Sequence, residues 1–222
     1  MVSDFGTLGG IVKDSRDERY GITCAHVAKC GDDGYQAAPS DGGKAPIIGT
    51  VLHSEIPPNF HASKLPTTGY PASQAKPVDA AIIHLGGPST AKLEINSLGA
   101  VTGLFPDASI VQWQATTYEG RTSGVQAVQF RGRCPYYCLA AAGQPYCFDE
   151  LLAIRWPRTA GTTTSPIQEG DSGAWLCVSG ASGIEWAAMA VGWDPAMGFA
   201  VSATRIETWW KSLSLPLPLS AA

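Results

Sequence analysis

The chain has 222 residues, 45% hydrophobic and only 15% charged, enough to bury a real core and too apolar for a disordered segment. Its net charge is −4 with no basic run, which argues against nucleic acid as a main partner. No apolar run approaches the ~20 residues needed to cross a bilayer, so no membrane role is expected.

The first residues, MVSDFGTLGG, lack the basic flank and apolar core of a secretory leader, so a cytoplasmic protein is expected unless upstream sequence is missing. Short apolar runs follow at 20–27, 45–53 and 78–85, each bounded by Gly, Pro, Asp or Ser clusters, and they read as strands. Residues 54–77 carry five prolines and no periodicity, the mark of a long loop. The stretch 86–108 reads as a crossover between two halves. Beyond it, 109–118, 124–130, 150–156, 173–178, 184–193 and 198–203 again read as strands. Regular short strands between turn signals predict a sandwich or a barrel. Only the end looks helical: Ile206, Trp209, Trp210 and Leu213 share one face, and Thr204 with Glu207 can form a capping box. The last stretch, LSLPLPLSAA, resembles a linker.

Six cysteines could form three disulfides, but without a leader thiols are expected. Cys134, Cys138 and Cys147 cluster at a spacing that matches no common zinc pattern, so no metal is assigned; a disulfide within the cluster would need oxidising conditions. No cofactor is indicated.

The chemistry concentrates in IQEGDSGAWL (167–176), where Gly-Asp-Ser-Gly opens an apolar strand although Gly and Asp are poor strand formers. A serine nucleophile needs a base, usually a histidine oriented by a carboxylate. Of His26, His53, His61 and His84, the first closes the apolar run GITCAHV, and Asp79 opens the run VDAAII. Each alone has a plainer explanation, a structural histidine and a turn aspartate. In the order His, Asp, Ser, the segments TCAHV, VDAAII and EGDSG resemble the chymotrypsin-like (trypsin-like) serine proteases, bacterial intracellular members in particular. GTLGGIV, EGRTSGVQ, AVGWD and MGFAV resemble further segments of that family, so the likeness spans nearly the whole chain.

The resemblance implies an all-β fold of two six-stranded antiparallel barrels with a C-terminal helix. Residues 1–98 would form the barrel carrying His26 and Asp79, and 99–222 the barrel carrying Ser172. It implies a serine endopeptidase with His26 as general base, Asp79 as its orienter and Ser172 as nucleophile. The N–H groups of Gly170 and Ser172 would form the oxyanion hole. Ser165, Pro166, Gly192, Trp193, Asp194 and Gly198 would line the specificity pocket. The partners implied are a protein or peptide substrate and, if this is a domain of a larger system, a regulatory domain or protein.

There are departures. Val27 stands where the family has a cysteine, and Ala174 replaces the second glycine after the serine. No processed Ile-Val-Gly-Gly start is visible, so Asp171 must find a partner other than a new N-terminus, either a backbone turn or a basic side chain. The pocket floor lacks a carboxylate, and Trp193 and Met197 favour a neutral or apolar P1 residue, although Asp194 could attract a basic one. Two alternatives stand beside the endopeptidase: a catalytically silent binding module, and an esterase with the same triad.

Overall fold

The computed structural model describes residues 6–35, 47–57, 78–86, 94–141, 144–157, 161–180, 183–213 and 215. Five strands form the first sheet: β1 (Gly10–Lys13), β2 (Arg19–Thr23), β3 (Asp33–Tyr35), β4 (Ile47–Glu55) and β5 (Ala80–Gly86). They run antiparallel in the order β1-β2-β5-β4-β3. The central strand β5 is an almost continuous run of buried Ala and Ile, so it is covered on both faces.

The second half adds β6 (Glu94–Ile95), β7 (Gly99–Leu104), β8 (Ala115–Gly120), β9 (Gly124–Ala141), β10 (Gln144–Arg155), β11 (Trp175–Ser179), β12 (Ile184–Trp193) and β13 (Gly198–Ser202). Strands β11-β8-β9-β10-β13-β12 pair in that order, and β11 pairs back onto β12. The six therefore close a ring of antiparallel ladders, which leaves no open edge. The β6–β7 hairpin lies outside the ring, where β7 runs parallel to β12. It occupies the stretch read as a crossover and spans the boundary drawn at 98/99. The first sheet holds five strands among the described residues, and β6, which also lies within 1–98, pairs outside it with β7.

The helix α1 (Ala203–Ser212) buries Ala203, Ile206, Trp209 and Trp210, the face that the spacing predicts. The capping box does not form. Ser202 is the N-cap, so Thr204 lies inside the first turn, and its hydroxyl accepts from the Asp107 N–H at 3.2 Å. Trp210 meets Tyr20 of β2 edge-on, with ring centroids 5.2 Å apart, so the helix of the second half docks on the first.

Two more expectations change. The predicted strand over 109–118 begins only at Ala115, behind a 3-10 turn at Asp107–Ser109. The strands predicted at 124–130 and 150–156 are parts of one long β9–β10 ribbon, in which Cys138 and Cys147 lie directly opposite and form a disulfide. Thiols were expected there, but facing positions on a ladder place two sulfurs within bonding reach. Cys24, Cys30, Cys134 and Cys177 are free. The long loop read at 54–77 lies outside the described residues from 58 onward, as do 214 and 216–222 of the linker-like end.

Candidate active site

Strand β2 ends at Thr23, and the chain turns at once, with the Cys24 carbonyl accepting from the N–H groups of Val27 and Ala28 at 3.2 and 3.1 Å. His26 therefore sits on a turn, not at the strand end expected from its apolar run. Across the sheet, Asp79 stands one residue before β5 with φ +50°, a left-handed conformation that aspartate tolerates better than most residues. Its carboxylate is 5% exposed and takes two bonds from His26, one from the backbone N–H (3.0 Å) and one at the ring Nδ1 (2.6 Å). The ring is thus held in plane and tautomer at once. Burial alone would push the His26 pKa down, but the charge of Asp79 and its hydrogen bond outweigh that and raise it above 6.5.

Ser172 lies inside the second of two consecutive turns that share Asp171, closed by Asp171 N–H to the Gln168 carbonyl (3.1 Å) and Ala174 N–H to the Asp171 carbonyl (2.9 Å). Gly170 and Gly173 flank this bend at φ +93° and +97°, the left-handed region that glycine enters without strain. A Cβ on Gly173 would also lie 2.2 Å from the Thr7 carbonyl oxygen. The loop and the His26 turn meet at one acceptor, the Ala190 carbonyl of β12. It accepts from the Gly173 N–H at 2.8 Å and from the Cys24 thiol at 3.2 Å. Cys24 is fully buried, and desolvation, with the Asp79 charge adding, pushes its pKa well up, so it is a neutral donor.

Asp171 is completely buried. Its Oδ1 accepts from the N–H groups of Thr122 (3.1 Å) and Ser123 (3.0 Å), and its Oδ2 from Ser123 Oγ (2.5 Å) and the Gln168 N–H (3.0 Å). A carboxylate offers about four lone-pair positions, and all four are filled by neutral donors. Of the two partners expected for Asp171, the backbone turn is the one found. The turn belongs to the β8–β9 hairpin in EGRTSGVQ, and a Cβ on Gly120 would lie 2.2 Å from Asp171 Oδ1.

The residues read as a pocket are spread over three packed segments. The Ser165 hydroxyl donates to the Ile167 carbonyl (3.0 Å), and the Pro166 carbonyl accepts from the buried Tyr118 hydroxyl (2.5 Å). Ile167 presses on Gly198, where a Cβ would lie 2.3 Å from its Cγ1. Trp193 is 47% exposed. Asp194 is committed: it accepts from the Tyr137 hydroxyl at 2.7 Å and from the N–H groups of Ala196 and Met197 at 2.8 Å each. Burial alone would raise its pKa, and these bonds reverse that to a net lowering. Tyr137 stacks on Phe199, and Leu139 lies over Gly192, so the β9–β10 ribbon folds onto the segment read as the pocket wall. For the outer part of that ribbon, which carries Tyr137 and Leu139, the sequence offers only the cysteine cluster.

The donor atoms of Cys24, His26 and Asp79 lie within 4.8 Å of one another, which is close enough for a metal. Each is already engaged in the bonds above, and the raised thiol pKa opposes the thiolate a metal requires.

Comparison with solved structures places the fold in a class. Among solved structures the chain resembles a glutamic acid-specific serine protease, with TM-score 0.59 and 14% identity over 93% of this chain and 91% of that one. Thermobifida fusca protease A gives TM-score 0.58 at 14% identity, covering 98% and 92%. Nocardiopsis protease gives 0.57 at 14%, covering 95% and 93%. No family model and no curated protein matches the sequence. The chain thus has the two-barrel fold of chymotrypsin-like serine proteases, and at this identity the likeness speaks for the fold.

Proposed function

We propose that this protein is a serine endopeptidase that cleaves peptide bonds through an acyl-enzyme on Ser172. The observation that carries the reading is the buried His26–Asp79 pair, with its 2.6 Å contact at Nδ1, on a fold shared with serine proteases. In this reading residues 1–98 supply base and orienter, and 99–222 supply the nucleophile. His26 Nε2 takes the Ser172 Oγ proton as oxygen attacks the carbonyl carbon, and the imidazolium passes that proton to the departing amine. Asp79 keeps the Nδ1 proton in place and steadies the imidazolium. Water then attacks the ester carbon as His26 takes its proton, and the C–O bond to Ser172 breaks as His26 returns that proton to Oγ, releasing the acid and restoring Ser172. The N–H groups of Gly170 and Ser172 stabilise the oxyanion, each worth roughly 3–4 kcal/mol in measured cases.

Asp171 filled by neutral donors supports an enzyme that needs no N-terminal cleavage for activity. A strict requirement for cleavage after Gly10 would contradict this. Asp194, spent on Tyr137 and its own turn, supports a neutral or apolar P1 residue. The test is hydrolysis of a positional-scanning peptide library by the wild type, His26→Ala and Ser172→Ala. Cleavage by the wild type alone, after neutral or apolar residues, is expected. Strong preference for Arg or Lys would overturn the specificity reading, and cleavage of esters but not peptides would favour an esterase.

A further inference from the structure

Residues Gly6 to Gly9 run along the back of the Ser172 loop before entering β1. Thr7 alone binds four residues there, in three segments. Its N–H donates to the Ser172 carbonyl at 2.8 Å, and its hydroxyl donates to the Gly170 carbonyl at 2.8 Å. The same hydroxyl accepts from the Arg121 N–H at 2.9 Å, and the Thr7 carbonyl accepts from Thr23 Oγ1 at 2.8 Å. A peptide unit is planar, so fixing a carbonyl fixes the N–H on its other side. Thr7 therefore fixes the units on either side of the Asp171–Ser172 peptide, which carries the Ser172 N–H. The Thr122 hydroxyl, donating to the Glu169 carbonyl at 2.6 Å, fixes the unit that carries the Gly170 N–H. The contact is backbone on backbone: a Cβ on Gly9 would lie 2.0 Å from the Gly173 oxygen. A loop with glycines at φ +93° and +97° has little stiffness of its own, so its shape must come from such ties.

We propose that Thr7 is a positioning residue for the reaction, holding the Ser172 amide in its working orientation through uncharged hydrogen bonds, while Thr122 holds that of Gly170. The inference rests on the serine-hydrolase reading. Its test compares Thr7→Val, which keeps the shape and loses the hydroxyl, with Thr7→Ser, which keeps the hydroxyl. Wild type is first shown to label with a fluorophosphonate; kcat, KM and the affinity for a peptide aldehyde are then measured from pH 6 to 10. Thr7→Val should lose kcat by ~10-fold, with KM within about 2-fold and aldehyde affinity falling in step, while Thr7→Ser stays within about 3-fold of wild type. Hydrogen exchange of the 168–173 amides should quicken in Thr7→Val. Wild type should show no loss of activity near pH 8, where an α-amino group would discharge. If Thr7→Val does not fold, Thr7→Cys replaces it, with a weaker donor and an intermediate loss expected. Wild-type labelling with unchanged Thr7→Val kinetics and exchange would overturn the inference alone. Failure of wild type to label would overturn the reading beneath it and the inference with it.

Discussion

The charge on His26 is decided by two opposed effects. Burial disfavours the imidazolium, and the Asp79 carboxylate favours it more strongly, so the pKa lies above 6.5. A general base must be neutral, so kcat/KM should rise with pH through a midpoint above 6.5. Asp79→Asn should move that limb downward and cut kcat by ~10⁴-fold, the loss such a change causes in a Ser-His-Asp triad. The same shift carries a stability term of the other sense. Protonated His26 stabilises the fold below about pH 6.5, and this is lost as pH rises through the raised value, which a pH series of melts against His26→Ala would read. Asp171 provides a second residue-scale test. An asparagine there has one acceptor oxygen and turns two donors toward donors, so Asp171→Asn should cost ~2–3 kcal/mol in urea unfolding; unchanged stability would contradict the assigned bonds. That Asp171 needed a partner was legible from Gly-Asp-Ser-Gly. Its donors were not, because two of the residues supplying them lie 49 and 48 positions away on another hairpin.

At the scale of elements, legibility followed burial. Strand β12 stood out at its true bounds because its apolar run is continuous, six of its ten residues being buried in succession. Strands β3, β6 and β7 were missed, since two or three residues, or a glycine-rich six, give no period to read. The ribbon β9–β10 was cut short because RCPYYCLAA breaks alternation with a proline and with Tyr136 at φ +52°. Its disulfide closes a separation of only 9 residues in chain already paired as a ladder. Replacing Cys138 and Cys147 by serine should therefore lower stability by a modest ~1–3 kcal/mol, measured in urea. Because the ribbon also carries Tyr137 to Asp194, Tyr137→Phe should change KM more than kcat if that segment lines the proposed pocket; the reverse pattern would contradict that reading.

At the scale of the molecule, one buried cluster takes in Val12, Tyr20, Ile22 and Ile82 of the first half with Trp186, Phe199 and Trp210 of the second. The halves share a core, so they should unfold in a single transition, and Trp210→Ala should lower the whole molecule's stability by ~3–5 kcal/mol. Two separated transitions by near-UV circular dichroism would contradict that. The His26 turn of one half and the Ser172 loop of the other meet at the Ala190 carbonyl beside this core, a packing that the order and spacing of the His, Asp and Ser segments do not reveal. Whether His26 activates Ser172 is read most directly by labelling with a fluorophosphonate, mapped by mass spectrometry, on wild type, His26→Ala and Ser172→Ala. One adduct, on Ser172, is expected, in wild type only. No adduct on Ser172 in folded wild-type protein, or equal labelling in His26→Ala, would contradict it.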